Sequence, residues 1–213
     1  MVEYIKPDEI ERRSFEIIQS ELPHLLDPDF APVIMRVIHT TADFEYVDSL
    51  AFSECAIEHA IAALQQGTII VSDTNMVKAG VDKSRLSMLR SEVHCFMNDE
   101  DVAEIARQNG ITRARASVDK AVAMEKPLIF AIGNAPTALM RICELKKMGK
   151  CSPALVIGVP VGFVNVVESK EMLMSSGIPY ITAKGRKGGS NVAAAICNAL
   201  LRMAVSKGKN NYA

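Results

Sequence analysis

The sequence contains five short apolar runs that alternate with segments of helical character. The runs cover residues 68–72, 93–97, 127–132, 154–158 and 178–183. Strands that alternate with helices in this way form a parallel sheet that is buried on both faces. We therefore expect an α/β fold with three layers, α/β/α, and a five-stranded parallel sheet in the flavodoxin-like order 2-1-3-4-5.

The residues before the first run have the apolar spacing of helices. Three helices are expected there, at 7–22, 29–40 and 53–66, with Ser53 as the N-cap of the third. Later helices are expected at 101–109, 112–124, 136–148, 165–176 and 189–203. A chain of 213 residues suits one large domain. We divide it into a helical N-terminal part (1–66), a parallel α/β core (67–206) and a frayed tail (207–213).

The composition argues against several classes of protein. The formal net charge of −1 gives no global basic field for nucleic acid. No apolar run approaches the ~18 residues of a membrane span, and the first residues lack a signal-peptide pattern, so we expect a cytoplasmic protein without a membrane partner. The five cysteines include no Cys-x-x-Cys pair, and the four histidines have no zinc spacing. We therefore expect free thiols and no protein-bound metal.

Two glycine-containing loops follow neighbouring apolar runs, at 133–136 and 158–163. Ligands of parallel sheets bind outside the carboxyl ends of the strands, and free N–H groups at the start of a helix favour an anion. Neither loop carries a dinucleotide or Walker fingerprint. Close packing of the loops explains the same glycines equally well, but a ligand site would include Gly133, Asn134 and Gly162.

Basic residues are concentrated near the predicted strand ends. The stretch 184–190 combines three cations with three glycines, and further cations follow the first run and begin the helix at 112. Singly these are ordinary surface charges. Together, in a chain of near-zero net charge, they favour a polyanionic small ligand bound by Lys83, Arg113, Arg115, Lys184 and Arg186.

Arg36 and His39 are three residues apart on a predicted helix, and therefore share one face. A cation beside a titratable imidazole is a candidate general acid or base whose protonation responds to an anionic ligand. On spacing alone, a solvated helix face is the simpler interpretation.

Six parts of the chain form a recognisable set. They are 11–18, Arg36-Val37-Ile38-His39, 73–77, 131–139, 158–164 with Glu168-Ser169-Lys170, and 185–190. Taken together, these segments resemble the precorrin-8X methylmutase family. The resemblance runs in uninterrupted order from Glu11 to Leu200, and the paired Gly-Asn-Ala-Pro-Thr and Pro-Val-Gly-Phe loops are its most specific parts.

The resemblance implies a flavodoxin-like fold, a homodimer and an isomerase. The implied reaction moves a methyl group from C-11 to C-12 of the precorrin-8 or cobalt-precorrin-8 macrocycle, giving hydrogenobyrinate or cobyrinate. The implied partner is a tetrapyrrole polycarboxylate. No cofactor is expected, because any cobalt travels in the substrate.

The resemblance also implies roles for individual residues. His39 would act as general acid and base, while Ser14, Arg36 and Arg113 would contact the substrate. Ala114 stands where relatives can have serine, so no side-chain role is carried over to that position. Two alternatives stay open from the residues alone: an isomerase of a smaller anion such as a sugar phosphate, and a non-catalytic corrinoid carrier. Cleft breadth tests the first, and His39 tests the second.

Overall fold

The computed structural model describes residues 6–210, which form one mixed six-stranded sheet with helices on both faces. The strands are β1 (Leu50–Phe52), β2 (Ile69–Ser72), β3 (Glu92–His94), β4 (Leu128–Ile132), β5 (Leu155–Gly158) and β6 (Tyr180–Ala183). The helices are α1 (Pro7–Glu21), α2 (Ala31–Thr41), α3 (Tyr46–Ser49), α4 (Ala56–Gln65), α5 (Asn75–Gly80), α6 (Lys83–Met88), α7 (Glu100–Asn109), α8 (Arg113–Val122), α9 (Pro136–Lys147), α10 (Val166–Met174) and α11 (Ser190–Asn210).

The order across the sheet is β1-β6-β5-β4-β2-β3. Strands β2 to β6 correspond to the five apolar runs and pair in parallel, whereas β1 pairs antiparallel with β6. Counted among themselves, the five parallel strands lie in the order 2-1-3-4-5. The expectation of a five-stranded, all-parallel sheet is nevertheless wrong, because β1 extends the sheet at one edge.

The missed strand lies in the part of the chain that was expected to be helical. Ser53 is not a helix N-cap, because α4 begins at Ala56 with Cys55 in the capping position. Instead, Ser53 continues the edge pairing: its N–H donates to Tyr180 O at 3.0 Å, and its Oγ accepts from Tyr180 N at 2.9 Å. The expected tail at 207–213 also begins later than predicted. Helix α11 continues to Asn210, and residues 211–213 lie outside the described part.

Alternate side chains of the strands enter two cores. Ile70, Ile129 and Ile157 pack on the face that also receives α2, α4 and α11. Val71, Phe130 and Val156 pack on the opposite face against α8 and α9. This alternation is the period-two geometry of a strand buried on both sides. None of the helices within residues 6–210 combines the length and apolarity that a membrane crossing requires.

Candidate active site

Four loops at the carboxyl ends of the parallel strands meet at the N-terminus of α11. Thr74, after β2, shares a hydrogen bond of 2.9 Å with Ser190 through their hydroxyl groups. Gly133, after β4, packs so closely on α11 that an added Cβ would lie 2.7 Å from Ser190 Cα. A hydrogen bond joins the loops after β5 and β6, because Gly189 N donates to Val159 O at 2.8 Å.

The loop after β4 is held by a buried carboxylate. Asp73 accepts hydrogen bonds from the backbone N–H groups of Gly133, Asn134 and Ala135 at 2.9, 2.8 and 2.6 Å. Burial raises the pKa of Asp73, and the three N–H donors act against that rise. The expectation that these N–H groups are free for an anionic ligand is wrong, because an internal anion occupies them. Two residues of this loop were predicted to bind the ligand. Asn134 is exposed, whereas Gly133 packs closely on the start of α11.

The loops after β5 and β6 present an apolar surface beside cations. Phe163 is 81% exposed, Val164 is 78% exposed, and the guanidinium of Arg186 lies 5.4 Å from the centre of the Phe163 ring. Lys184 is exposed in the same loop as Arg186. The N–H of Gly162 is engaged, because it donates to Arg186 O at 3.2 Å. This arrangement suits a flat apolar ligand that carries carboxylates.

An ion-pair cluster brings the end of α2 to the β6–α11 loop. Lys187 Nζ lies 2.6 Å from Asp43 and 2.7 Å from Glu45, both in the segment after α2. Hydrogen bonds to these two carboxylates raise the pKa of Lys187 to about 12. Helix α2 therefore ends beside the strand-end loops, two residues after His39.

His39 and Arg36 share one face of α2, as the spacing predicts, and both pack on Phe15 of α1. The rings of His39 and Phe15 are stacked at 5.3 Å, and Arg36 Cζ lies 4.7 Å from the centre of the same ring. His39 is exposed at the surface. Ser14 belongs to the same turn of α1, where its hydroxyl donates to Ile10 O at 2.8 Å.

Arg36 already has an internal anionic partner. Its Nη1 donates to Glu11 at 2.6 Å, and Arg202 donates to the same carboxylate at 3.0 Å. Burial opposes ionisation of Glu11, but these hydrogen bonds outweigh it and hold the pKa of Glu11 below its usual value. A cleft of about 380 Å³ opens beside the cluster. Its lining includes Arg36, Thr40, Arg85, Asn191 and Arg202.

The remaining predicted cations occupy different places. Arg113 is exposed at the start of α8. A hydrogen bond of 2.9 Å between the hydroxyl groups of Thr112 and Thr137 holds the start of α8 beside the start of α9. Arg115 instead faces α9, where both terminal guanidinium nitrogens donate to Glu144. Lys83 lies at the start of α6, and its ammonium donates to Lys78 O. We leave Arg115 and Lys83 out of the proposed site, because Glu144 holds Arg115 and a backbone carbonyl holds Lys83. Arg36, although paired with Glu11, is kept because it shares a helix face with His39.

Sequence reasoning did not select Asp73, Phe163 or Glu11 as site residues. All three lie within the segments that carry the family resemblance, which was a signal for their position though not for their contacts. For Asp73 there was a second signal, because an aspartate directly after a buried strand places a carboxylate at the strand end.

Comparisons with known proteins agree on one family. The model of the family described as Precorrin-8X methylmutase matches residues 9–203. The Cobalt-precorrin-8 methylmutase of Priestia megaterium is 44% identical, with 95% of this chain and 90% of that protein covered. The corresponding protein of Salmonella typhimurium is 46% identical, with 92% and 95% covered.

A solved structure gives the same result. The precorrin-8x methyl mutase from Thermus thermophilus superposes with a TM-score of 0.87 at 41% identity, over 94% of this chain and 98% of that one. Matches of this extent and identity cover both the strand-end loops and helix α2. The chain therefore belongs to the precorrin-8X methylmutase family.

Proposed function

We propose that the protein moves a methyl group from C-11 to C-12 of precorrin-8X or cobalt-precorrin-8 in cobalamin biosynthesis. The observation that carries this proposal is the exposed apolar surface of Phe163 and Val164 beside Lys184 and Arg186. A tetrapyrrole with acetate and propionate arms has a matching combination of a broad apolar ring and peripheral negative charge. The names of the relatives support the same substrate class.

The two alternative functions are less well supported. A sugar phosphate would need an anion cradle of backbone N–H groups, and Asp73 fills the one expected after β4. A corrinoid carrier would need the cations and the apolar surface but no acid. The exposed imidazole of His39, at the end of α2 that adjoins the strand-end loops, favours catalysis over carriage.

In the proposed mechanism, binding and proton transfer fall to different residues. Arg36, Arg113, Lys184 and Arg186 hold carboxylate arms through charge-assisted hydrogen bonds, and Ser14 contributes a hydroxyl group. His39 gives a proton to the ring system near the migrating carbon and takes one back. A positioned acid of this kind contributes roughly 10²–10⁴ in rate.

The proposed reaction needs no redox partner. One carbon–carbon bond breaks at C-11 and one forms at C-12, so substrate and product have the same composition. We accordingly propose that the enzyme works without a cofactor and that cobalt, where present, belongs to the substrate. The rearranged conjugation of the ring provides the driving force.

We also propose that the active protein is a homodimer whose interface includes part of residues 7–66. Three apolar side chains in this part are exposed in the single chain: Ile10 by 51%, Ile17 by 43% and Leu25 by 96%. A two-fold interface lets such a patch bury itself against its own copy. Sedimentation should give twice the chain mass of 23.2 kDa. A monomer with full activity would contradict this assembly.

The direct test of function is conversion of the substrate. Purified protein is mixed separately with precorrin-8X and with cobalt-precorrin-8, and the visible spectrum and the product mass are followed. A changed spectrum at unchanged mass is expected for at least one of them. Binding without conversion would support the carrier, and no interaction with either compound would refute both the enzyme and the carrier.

A further inference from the structure

Lys170 is a buried cation that the proposed reaction does not use. Its side chain, on α10, is 1% exposed. The ammonium donates to Gly185 O at 2.9 Å and to Lys187 O at 2.8 Å, and it forms no ion pair with an acid within residues 6–210. Burial lowers the pKa of Lys170 to about 8. A buried charge without a counter-charge is costly, so its two carbonyl contacts call for a specific explanation.

The two carbonyl groups that Lys170 binds flank Arg186. Gly185 has a φ of +75° and Gly188 a φ of +156°, so the chain around Arg186 depends on conformations that side-chain-bearing residues rarely adopt. An added Cβ at Gly188 would also collide with Val159 O. The loop thus approaches the β5 loop closely on one side and rests on the Lys170 ammonium on the other.

This support fixes where the Arg186 side chain emerges. Arg186 O accepts from Gly162 N at 3.2 Å, and the guanidinium lies over Phe163. The carbonyl of Arg186 is thereby held from the β5 loop, while the carbonyls of the residues before and after it are held by Lys170. Loss of the ammonium leaves both carbonyls without that donor and frees the loop to shift.

We propose that Lys170 is a positioning residue that holds the backbone on both sides of Arg186, so that the guanidinium faces a carboxylate of the substrate beside Phe163. The inference rests on the proposed function, because it assigns Arg186 to substrate binding. Lys170 itself does not touch the substrate, since its side chain is enclosed. This role also accounts for Lys170 within the Glu168-Ser169-Lys170 segment, a residue that the proposed mechanism leaves unused.

The test is a double-mutant cycle between Lys170→Met and Arg186→Ala. If Lys170 acts through Arg186, Lys170→Met should raise KM about tenfold in the native background and change kcat by less than about twofold. In the Arg186→Ala background the same substitution should change KM by less than about twofold. Lys170→Gln, whose amide can still donate, should have a smaller effect than Lys170→Met. The matched control is Lys146→Met, which alters a half-buried lysine in the last turn of α9.

Amide hydrogen exchange of residues 184–189 gives a readout that is independent of turnover. It should be faster in Lys170→Met than in the native protein and unchanged in Lys146→Met. Equal KM changes in both backgrounds, or unaltered KM and exchange in Lys170→Met, would overturn the proposal. So would a failure of both Lys170 variants to fold, because the ammonium would then serve the whole fold. Failure of the proposed function is distinguishable, since no variant would then turn over substrate while the exchange result would still stand.

Discussion

The carboxylate of Glu11 accepts a hydrogen bond of 2.6 Å from Nη1 of Arg36. This pair joins α1 to α2 next to the face that carries His39, and Arg202 donates to the same carboxylate. Glu11 therefore competes with the substrate carboxylate that we propose Arg36 binds. A carboxylate at that position has to replace this contact or share it.

Glu11→Gln should strengthen substrate binding, because it removes the charge that competes for Arg36. We expect KM to fall by up to about fivefold, which corresponds to about 1 kcal/mol for a partly exposed ion pair. Steady-state kinetics measures the effect. Glu16→Gln is the control, since Glu16 lies on the same helix and its ion pairs among residues 6–210 are with the exposed Arg12 and Arg13. An increase in KM for Glu11→Gln would show that the pair assists binding.

His39→Ala should lower kcat by at least about a hundredfold, the lower range for loss of a general acid. Substrate affinity should change little, because the arginines and lysines remain. The lost stacking on Phe15 should cost about 1 kcal/mol of stability. Single-turnover rates and thermal unfolding separate the two effects. His59→Ala, at an exposed position on α4, should retain normal turnover, and normal turnover in folded His39→Ala would exclude the catalytic role.

Asp73→Asn should destabilise the protein by about 1–3 kcal/mol, because the new amide N–H₂ group faces a backbone donor in place of an acceptor. One of the three N–H groups at 133–135 then loses its partner. Urea unfolding measures the change. Asp48→Asn is the control, since the Asp48 side chain is 79% exposed. Equal stability of the two variants would mean that the Asp73 charge is not required in the loop.

Phe163→Ala should raise KM while leaving the unfolding midpoint within experimental error. The ring is 81% exposed, so its removal costs little packing, but the proposed ligand surface loses its largest apolar member. Steady-state kinetics and thermal unfolding give the two readouts. Met148→Ala, 59% exposed at the far end of α9, should change neither. An unaltered KM in Phe163→Ala would place the macrocycle elsewhere.

The stability difference between the native protein and Lys170→Met should depend on pH. The pKa of Lys170 is about 8 in the folded protein and near its ordinary value of 10.5 when the chain is unfolded. Between these values the unfolded state binds more protons, so the free energy of unfolding contributed by Lys170 rises with pH. The free-energy cost of burying the charged ammonium applies in full below about pH 8. It decreases as the pH rises from about 8 toward 10.5.

Urea unfolding at pH 7 and pH 10 measures this dependence. The native protein should gain up to about 3 kcal/mol relative to Lys170→Met over this interval. Comparison with the variant removes the contribution of other groups that titrate in the same range. A difference that stays constant would show that the ammonium is not buried as described.

Strands β2, β4, β5 and β6 were predictable because each lies in a largely apolar run bounded by loop residues. Strand β3 (Glu92–His94) only overlaps the predicted run at 93–97. Strand β1 was not predictable, since Leu50-Ala51-Phe52 is too short to show a period and is a strand only through its pairing with β6. Tertiary pairing overrode the local pattern there.

The candidate site was also predictable only where its contacts are local in the sequence. Spacing along one helix correctly places Arg36 and His39 on one face, because helical geometry is local. The partners of Gly133 and Arg115 are not local: Asp73 lies 60 residues away from Gly133, and Glu144 lies 29 residues away from Arg115. Which charges remain available to a ligand is therefore decided by the assembled fold.

The edge strand β1 also determines when the site is completed during synthesis. Tyr180 N donates to Ser53 Oγ, 127 residues earlier in the chain. Strand β1 leaves the ribosome long before β6 exists, and contacts over such a separation form late because of the entropy of closing the loop. The segment that carries His39 is tied to the β6–α11 loop by Lys187 and Asp43. The proposed acid, His39, thus reaches this position only after the last strand has been made, so we expect a nascent chain to be inactive before then.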